Sequence, residues 1–204
     1  MNAYLTPLAC KGFTLIELMV TLAVAAILMV IGVPSFLAFQ RNSELTSAVN
    51  GLVAGIAAAR GEAMKNGRFA GVVPADAANW NGGWVVFVDN NNDGVFTEGS
   101  ADTTILRQAA LPSYFTVSAN GTAKEGQTDA PYIRFDASGY PKKKGGGFGA
   151  LNISIARNDL GTSETLDQTR RVIISPSGRV RSCRPASATD AKCPAPTATA
   201  DPDD

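Results

Sequence analysis

A run of apolar side chains long enough to cross a bilayer, with a carboxylate planted at its start, constrains this chain more than any other feature. From Leu18 to Val33 no residue is charged, and most are Leu, Ile, Val, Ala or Met. Extended to Phe39, the run spans about 30 Å of hydrocarbon when helical. A secretory signal peptide has a shorter apolar core and a small-residue cleavage site after it, so the run reads as an anchor. Lys11 precedes it, and no cluster of positive charge follows in Gln40-Arg41-Asn42-Ser43-Glu44. That asymmetry puts the N-terminus in the cytoplasm and the body of the chain across the membrane.

Glu17 opens the run and needs an explanation, because an isolated carboxylate in lipid costs on the order of several kcal/mol. Two accounts are open. In one, the carboxylate snorkels to the headgroups or protonates. In the other, cutting after Gly12 creates an α-amine on Phe13, four residues from Glu17. That amine on an axially offset neighbouring helix would pair with Glu17 and fix the register of the assembly. The stretch Lys11-Gly12-Phe13-Thr14-Leu15-Ile16-Glu17-Leu18 resembles the class III signal of type IV pilins and type II secretion pseudopilins. The resemblance implies cleavage after Gly12 by a prepilin peptidase, N-methylation of Phe13, and Glu17 as the assembly carboxylate. Pro34 falls where that family carries a helix-disrupting proline. Residues 1–12 are then a leader, which takes Cys10 with it.

Beyond the leader, residues 13–66 read as one long helix: 13–39 apolar on all sides and transmembrane, 40–66 amphipathic. In the second part Leu45, Val49, Leu52, Val53, Ile56, Ala59 and Ala63 recur at spacings of three and four. Pro34 removes one helical hydrogen bond and is a place for a kink, and Asn66-Gly67 is an end signal. Residues 67–184 read as a β-rich head. Strands are expected at 68–73, 83–88, 105–111, 114–118, 132–136, 150–156, 170–175 and 178–182, with Val95-Phe96 pairing back on 83–88 in a hairpin. Residues 185–204 are a cysteine-pinned loop and a tail rich in Ala, Thr, Pro and Asp, disordered beyond Cys193.

The fold class is therefore α+β, a long helix backed by an antiparallel sheet that needs one face covered. The outline Trp80, Gly83-Trp84-Val85-Val86-Phe87-Val88-Asp89, Asp93-Gly94, Ile105-Leu106-Arg107 is similar to the GspH/FimT/FimU group. It implies the pilin fold, with a sandwich-like or two-sheet head on an N-terminal helix.

No catalytic constellation emerges. Histidine is absent, and Ser163, Glu164 and the scattered Asp residues have no nucleophile–base spacing. Gly145-Gly146-Gly147 lacks the Lys-Ser/Thr of a phosphate loop. Neither an enzyme nor a cofactor is expected. Asp89, Asn91, Asp93 and Gly94 match positions one, three, five and six of a calcium loop, but Ser100 stands at position twelve, where a bidentate Glu belongs. Glu98 and Asp102 are alternative ligands. The simpler account is a turn in which Asn, Asp and Gly accept positive φ, and it is preferred here; a metal is not expected.

Cys183 and Cys193 are separated by nine residues. Outside the cytoplasm they form a disulfide; otherwise they are two thiols in the tail. Near them lies a basic segment: Arg171, then Gly178-Arg179-Val180-Arg181, Arg184 and Lys192. On an extended strand Arg179 and Arg181 point the same way about 6.6 Å apart, roughly the spacing of successive phosphates on one nucleic-acid strand. The opposing account is a solvated edge whose arginines pair with Asp167 or Asp190. Gly178-Arg179-Val180-Arg181 resembles the GRxR motif of FimT-type minor pilins, which implies DNA capture in natural transformation. Lys142-Lys143-Lys144 would extend that surface if the fold brought it near Arg179.

Two functional expectations follow. The first is a minor type IV pilin that binds double-stranded DNA without sequence preference. The second is a structural or priming subunit, FimU-like in a pilus or GspH-like in type II secretion, with no nucleic acid. Both place the protein in the inner membrane as a single-pass chain with a periplasmic, monomeric head, moving into a pilus on assembly. The partners implied are other minor and major pilins, the prepilin peptidase and, in the first case, DNA.

Overall fold

The computed structural model describes residues 12–99 and 101–196, the side chains of 162–164 excepted. Residues 1–11, which make up all but the last residue of the expected leader, Ser100, and residues 197–204 lie outside the described residues. The chain divides into two compact units, one up to Arg41 and one from Asn42 onward.

The helix α1 (Leu15–Asn66) begins behind Thr14, whose hydroxyl accepts the Glu17 amide at 3.3 Å. Helical assignment is continuous through Pro34. In the first unit its apolar side chains face outward on every side: Leu15, Leu22, Ile27, Val30 and Phe36 are all exposed. Among the described residues this is the one helix long and apolar enough to cross a membrane.

The second unit is built on the other half of α1. Its buried positions, Leu45, Val49, Leu52, Ile56, Ala59 and Ala63, fall on one stripe, as the spacing predicts. Two four-stranded antiparallel sheets contribute to the same core. One has the order β3 (Thr103–Gln108), β2 (Trp84–Val88), β1 (Ala70–Pro74), β5 (Ile133–Phe135). The other has the order β4 (Phe115–Ala119), β6 (Leu151–Arg157), β7 (Thr169–Ile174), β8 (Val180–Cys183). In the first sheet Val72 pairs with Val86 and Ile133, a β-branched layer that turns inward. In the second, Ile153 pairs with Val172, and Leu151 with Ile174.

The helix comes close to the first sheet at Gly55. A Cβ there would stand 3.2 Å from Trp84 Nε1 and 3.3 Å from a Val86 methyl. Trp80 fills the end of the core from a single 3-10 turn. Its indole N–H donates to the Ala123 carbonyl at 2.8 Å, and its amide to Glu125 at 2.8 Å.

All eight strands found overlap segments expected from sequence, within a few residues. One pairing is corrected: Val95-Phe96 forms no strand, and β2 pairs instead with β3, with a bulge between Val86 and Phe87. The Phe96 ring lies on the outer face of the sheet, 5.0 Å from that of Phe87. That cover explains why β2 is buried on both faces. A short helix, α2 (Thr162–Asp167), is an element the sequence pattern did not announce. Phe115 is fully enclosed between the helix stripe and the second sheet. Phe115→Ala is expected to destabilise the full chain by about 3–5 kcal/mol. The check is a lower denaturant midpoint at unchanged slope in detergent solution.

Candidate functional site

The basic segment forms the β7–β8 hairpin at the edge of the second sheet. Its turn is closed by the Ser175 amide donating to the Arg179 carbonyl at 3.0 Å and the Gly178 amide to the Ser175 carbonyl at 2.9 Å. Ser175 Oγ accepts the Arg179 amide at 3.2 Å. Gly178 has φ +78°, and a Cβ there would lie 2.3 Å from the Gly139 carbonyl oxygen. No side chain fits that position, for both reasons.

From α1, Arg60 donates through Nη1 to the Gly178 carbonyl at 2.9 Å. The hairpin is thus held to the helix and to the turn at Gly139. Sequence reading passed over Arg60; its signal is a charged residue wedged between Ala59 and Ala63 on the edge of the buried stripe.

Register sorts the arginines. Val172 and Ile174 are buried in the core, so Arg171 and Ile173 face the other way, and Arg181 opposite Ile173 shares that outer face. Arg179 is exposed at the turn and Arg181 is half-buried. Among the described residues neither side chain forms an ion pair. Arg184 does, with Asp167 at 2.9 Å, and both groups are largely exposed. A surface pair of this kind contributes at most about 1 kcal/mol.

Arg171 departs from the expected surface. It is 5% exposed, and its guanidinium donates to the Cys193 carbonyl. The physical reason is the loop that covers it. Cys183 and Cys193 are bonded with S–S 2.03 Å, and this folds residues 184–192 back over the outer face. Asp190 organises the loop by accepting the amides of Ala186 and Lys192, each at 2.9 Å. Those donors hold its carboxyl below the usual aspartate range. Burial, opposed by the Asp190 charge, lowers the proton affinity of Arg171. Arg171 therefore braces the loop, and Lys192 is the exposed cation it presents.

Gly139, which abuts Gly178, precedes the second basic patch by three residues, but Lys144 of that patch borders Gly94 in the β2–β3 connection. Lys142 Nζ stands 3.8 Å from Asp136 and 4.4 Å from the centre of the Phe148 ring. Glu17 is exposed in the first turn of α1, just after Gly12 and Phe13. Asp89, Asn91 and Asp93 lie apart from the hairpin in sequence and sheet, in the β2–β3 connection.

A helix with a methylation-type start carries a two-sheet head, and the sequence comparisons agree. Residues 48–178 match the family described as Type II transport protein GspH. The chain belongs to that family. Residues 8–33 match the prokaryotic N-terminal methylation motif. The protein is thus a pilin-like minor pilin or pseudopilin, a non-catalytic subunit of pilus or pseudopilus assembly.

Among solved structures, the chain is similar to the type IV minor pilin FimU of Pseudomonas aeruginosa. In one crystal form the TM-score is 0.49 at 21% identity, covering 70% of this chain and 90% of that one. In a second form it is 0.47 at 19%, covering 68% and 91%. The minor pseudopilin EpsH from the Type 2 Secretion System of Vibrio cholerae gives 0.44 at 16%, covering 71% and 99%. No curated protein matches the chain.

Gly178→Ala, which drives a methyl into the Gly139 carbonyl at a left-handed φ, is expected to cost about 2–4 kcal/mol. Arg60→Ala leaves the turn geometry allowed and is expected to cost less, about 1–3 kcal/mol. The ordering is read from denaturant midpoints of the two variants.

Proposed function

We propose that this protein is a structural or priming subunit of a type IV pilus, or of the related pseudopilus of type II secretion. Residues 1–12 are a leader removed by the prepilin peptidase, which leaves Phe13 as the methylated N-terminus. Residues 13–39 hold the chain in the inner membrane, 40–66 back the head, and the head (67–184) with its pinned loop and tail (185–204) stands in the periplasm. Its partners are other minor and major pilins.

One observation carries this reading: a methylation motif runs directly into a helix apolar on all sides, with a single carboxylate, Glu17, in its first turn. The rest is physical. In the bilayer an all-round apolar surface faces lipid tails; in a filament it faces neighbouring helices, so the exchange costs little. Glu17 is the exception. Its charge is tolerated away from water only beside a cation, and the α-amine of Phe13 on a neighbouring subunit supplies one at a fixed axial offset.

A second reading, DNA capture by a FimT-type minor pilin, is favoured by the exposed Arg179 in the turn and the outward-facing Arg181 on a hairpin braced by Arg60. With Arg171 buried and Arg184 paired, the contact surface in this reading comes down to Arg179, Arg181 and Lys192, with the buried Gly178 shaping the turn that carries them. It would hold phosphates without reading bases.

Glu17→Ala is expected to leave the protein in the membrane and lower its amount in sheared filaments at least about tenfold, the effect of roughly 1.4 kcal/mol per subunit. Normal incorporation, or a mature protein that begins at Met1 by mass spectrometry, refutes the assembly mechanism. For DNA, the full chain in detergent is titrated with labelled duplex over a salt series. Arg179→Ala/Arg181→Ala is expected to bind more weakly and to flatten the log K against log salt slope by about 1.8; equal affinity in both proteins removes the second reading.

A further inference from the structure

We propose that the disulfide-pinned loop masks a further phosphate-binding residue, Arg171, and that reduction of Cys183–Cys193 uncovers it beside Arg181 for a nucleic-acid backbone. This rests on the nucleic-acid reading of the β7–β8 hairpin and adds a regulated position to it. Across the two strands Arg171 pairs with Cys183, and Ile173 with Arg181. Val172 and Ile174 are buried in the core, so Arg171, Ile173, Arg181 and Cys183 lie on the outer face. Arg171 and Arg181 are therefore diagonal neighbours, with Cα atoms about 7–8 Å apart. Guanidinium forks side by side on one face can hold neighbouring phosphates of one strand.

What withholds Arg171 is the loop. Its guanidinium donates to the Cys193 carbonyl, and its Nε is buried with no hydrogen-bond partner. A guanidinium carries five N–H donors, and enclosing it with a donor left unmade is costly. The cover must be held down against that cost.

The loop's own side chains do little of this. Residues 184–192 read Arg-Pro-Ala-Ser-Ala-Thr-Asp-Ala-Lys, with no large apolar side chain. Pro185 is buried, but Ala186, Ser187, Ala188, Thr189, Ala191 and Lys192 are exposed. The Asp190 carboxylate accepts the Ala186 and Lys192 amides, and the Asp190 carbonyl accepts the Cys193 amide at 3.1 Å. Those bonds tie the loop to itself and not to the sheet. The Arg184–Asp167 pair is largely exposed and holds weakly. The covalent bond from Cys193 to β8 is what fixes the loop over Arg171, by removing conformational freedom that the open loop regains. Once it is broken, the entropy of the loop and the hydration of Arg171 act in the same direction.

The bond is open to a reductant from one side. Cys183 is half-buried, whereas Cys193 is enclosed at 2% exposure. An incoming dithiol therefore attacks through its thiolate at the Cys183 sulfur. A mixed disulfide forms there, and the S–S electron pair leaves with Cys193 as a thiolate. The second thiolate of the dithiol then displaces Cys183. Both cysteines take up a proton and the dithiol ends as a disulfide, so two electrons pass from it to the protein. Lys192, on the released loop, loses its fixed place, while Arg171 joins Arg181 on the rigid sheet.

The test compares the full chain in detergent, oxidised and after dithiothreitol, with circular dichroism following the fold of the head. Phenylglyoxal labelling read by peptide mass spectrometry is expected to modify Arg171 in the reduced protein and to spare it in the oxidised one. Titration with labelled duplex over a salt series is expected to show tighter binding on reduction. The log K against log salt slope steepens by about 0.9, the signature of one added phosphate contact. Cys183→Ser/Cys193→Ser is expected to behave as the reduced protein with no reductant present, and Arg171→Gln to abolish the steepening. The proposal is overturned if Arg171 stays unreactive once the bond is open, if duplex binding is the same in both states, or if Arg171→Gln steepens as the wild type does. A head that unfolds on reduction also overturns it, since the bond is then a structural staple alone. The hairpin reading fails separately, when Arg179→Ala/Arg181→Ala binds duplex as the wild type does in the oxidised state.

Discussion

The head depends on how closely one helix can approach two sheets. Between Leu45 and Ala63 the buried stripe narrows from branched side chains to Gly55, Ala59 and Ala63, and the backbone comes near Trp84 and Val86 where a larger residue would hold it off. Every strand that faces inward packs on that stripe or on its neighbours. Dispersion falls steeply with distance, so the small residues let both sheets bury their faces against one helix at native density.

A single helix thus meets two environments with two patterns. Up to Phe39 the surface is apolar in every direction, which suits lipid or other helices but positions nothing. From Leu45 onward the apolar residues occupy one side, which fixes rotation about the axis. Glu17 and Arg60 are charges set into these two regions, and each is placed to act on a neighbour. Arg60 ties the edge hairpin to the helix, so the arginine-bearing turn is part of the core's architecture. Glu17, in the first turn of the apolar half, is the charge on which the proposed assembly contact rests.

Polar groups at the head's margins follow one logic: a buried polar atom takes a backbone partner where no side chain is at hand. Arg171 takes the Cys193 carbonyl, Trp80 the Ala123 carbonyl, and Arg60 the Gly178 carbonyl. Not every buried atom is satisfied in this way: Trp84 Nε1, Asp89 Oδ1, Arg134 Nε and Gln168 Oε1 have no hydrogen-bond partner.

Some of this was legible in the residues alone. The anchor, the leader motif, the amphipathic stripe and the strand segments are local signals, carried by periodicity and by runs of β-branched and aromatic residues. They pointed to the fold class, while the cysteine pair stayed open between a disulfide and two thiols until the structure joined it. Other features depend on which segments meet. Sequence could not tell that β2 pairs with Thr103–Gln108 while Phe96 covers its back, because both segments are apolar enough to follow it. Nor could it separate Arg179 from Arg171, two arginines in one basic stretch, until strand register and the disulfide loop exposed one and buried the other. Composition and spacing act along the chain, whereas burial and charge pairing are set by neighbours distant in sequence. That difference divides what the residues determined from what the tertiary structure decided.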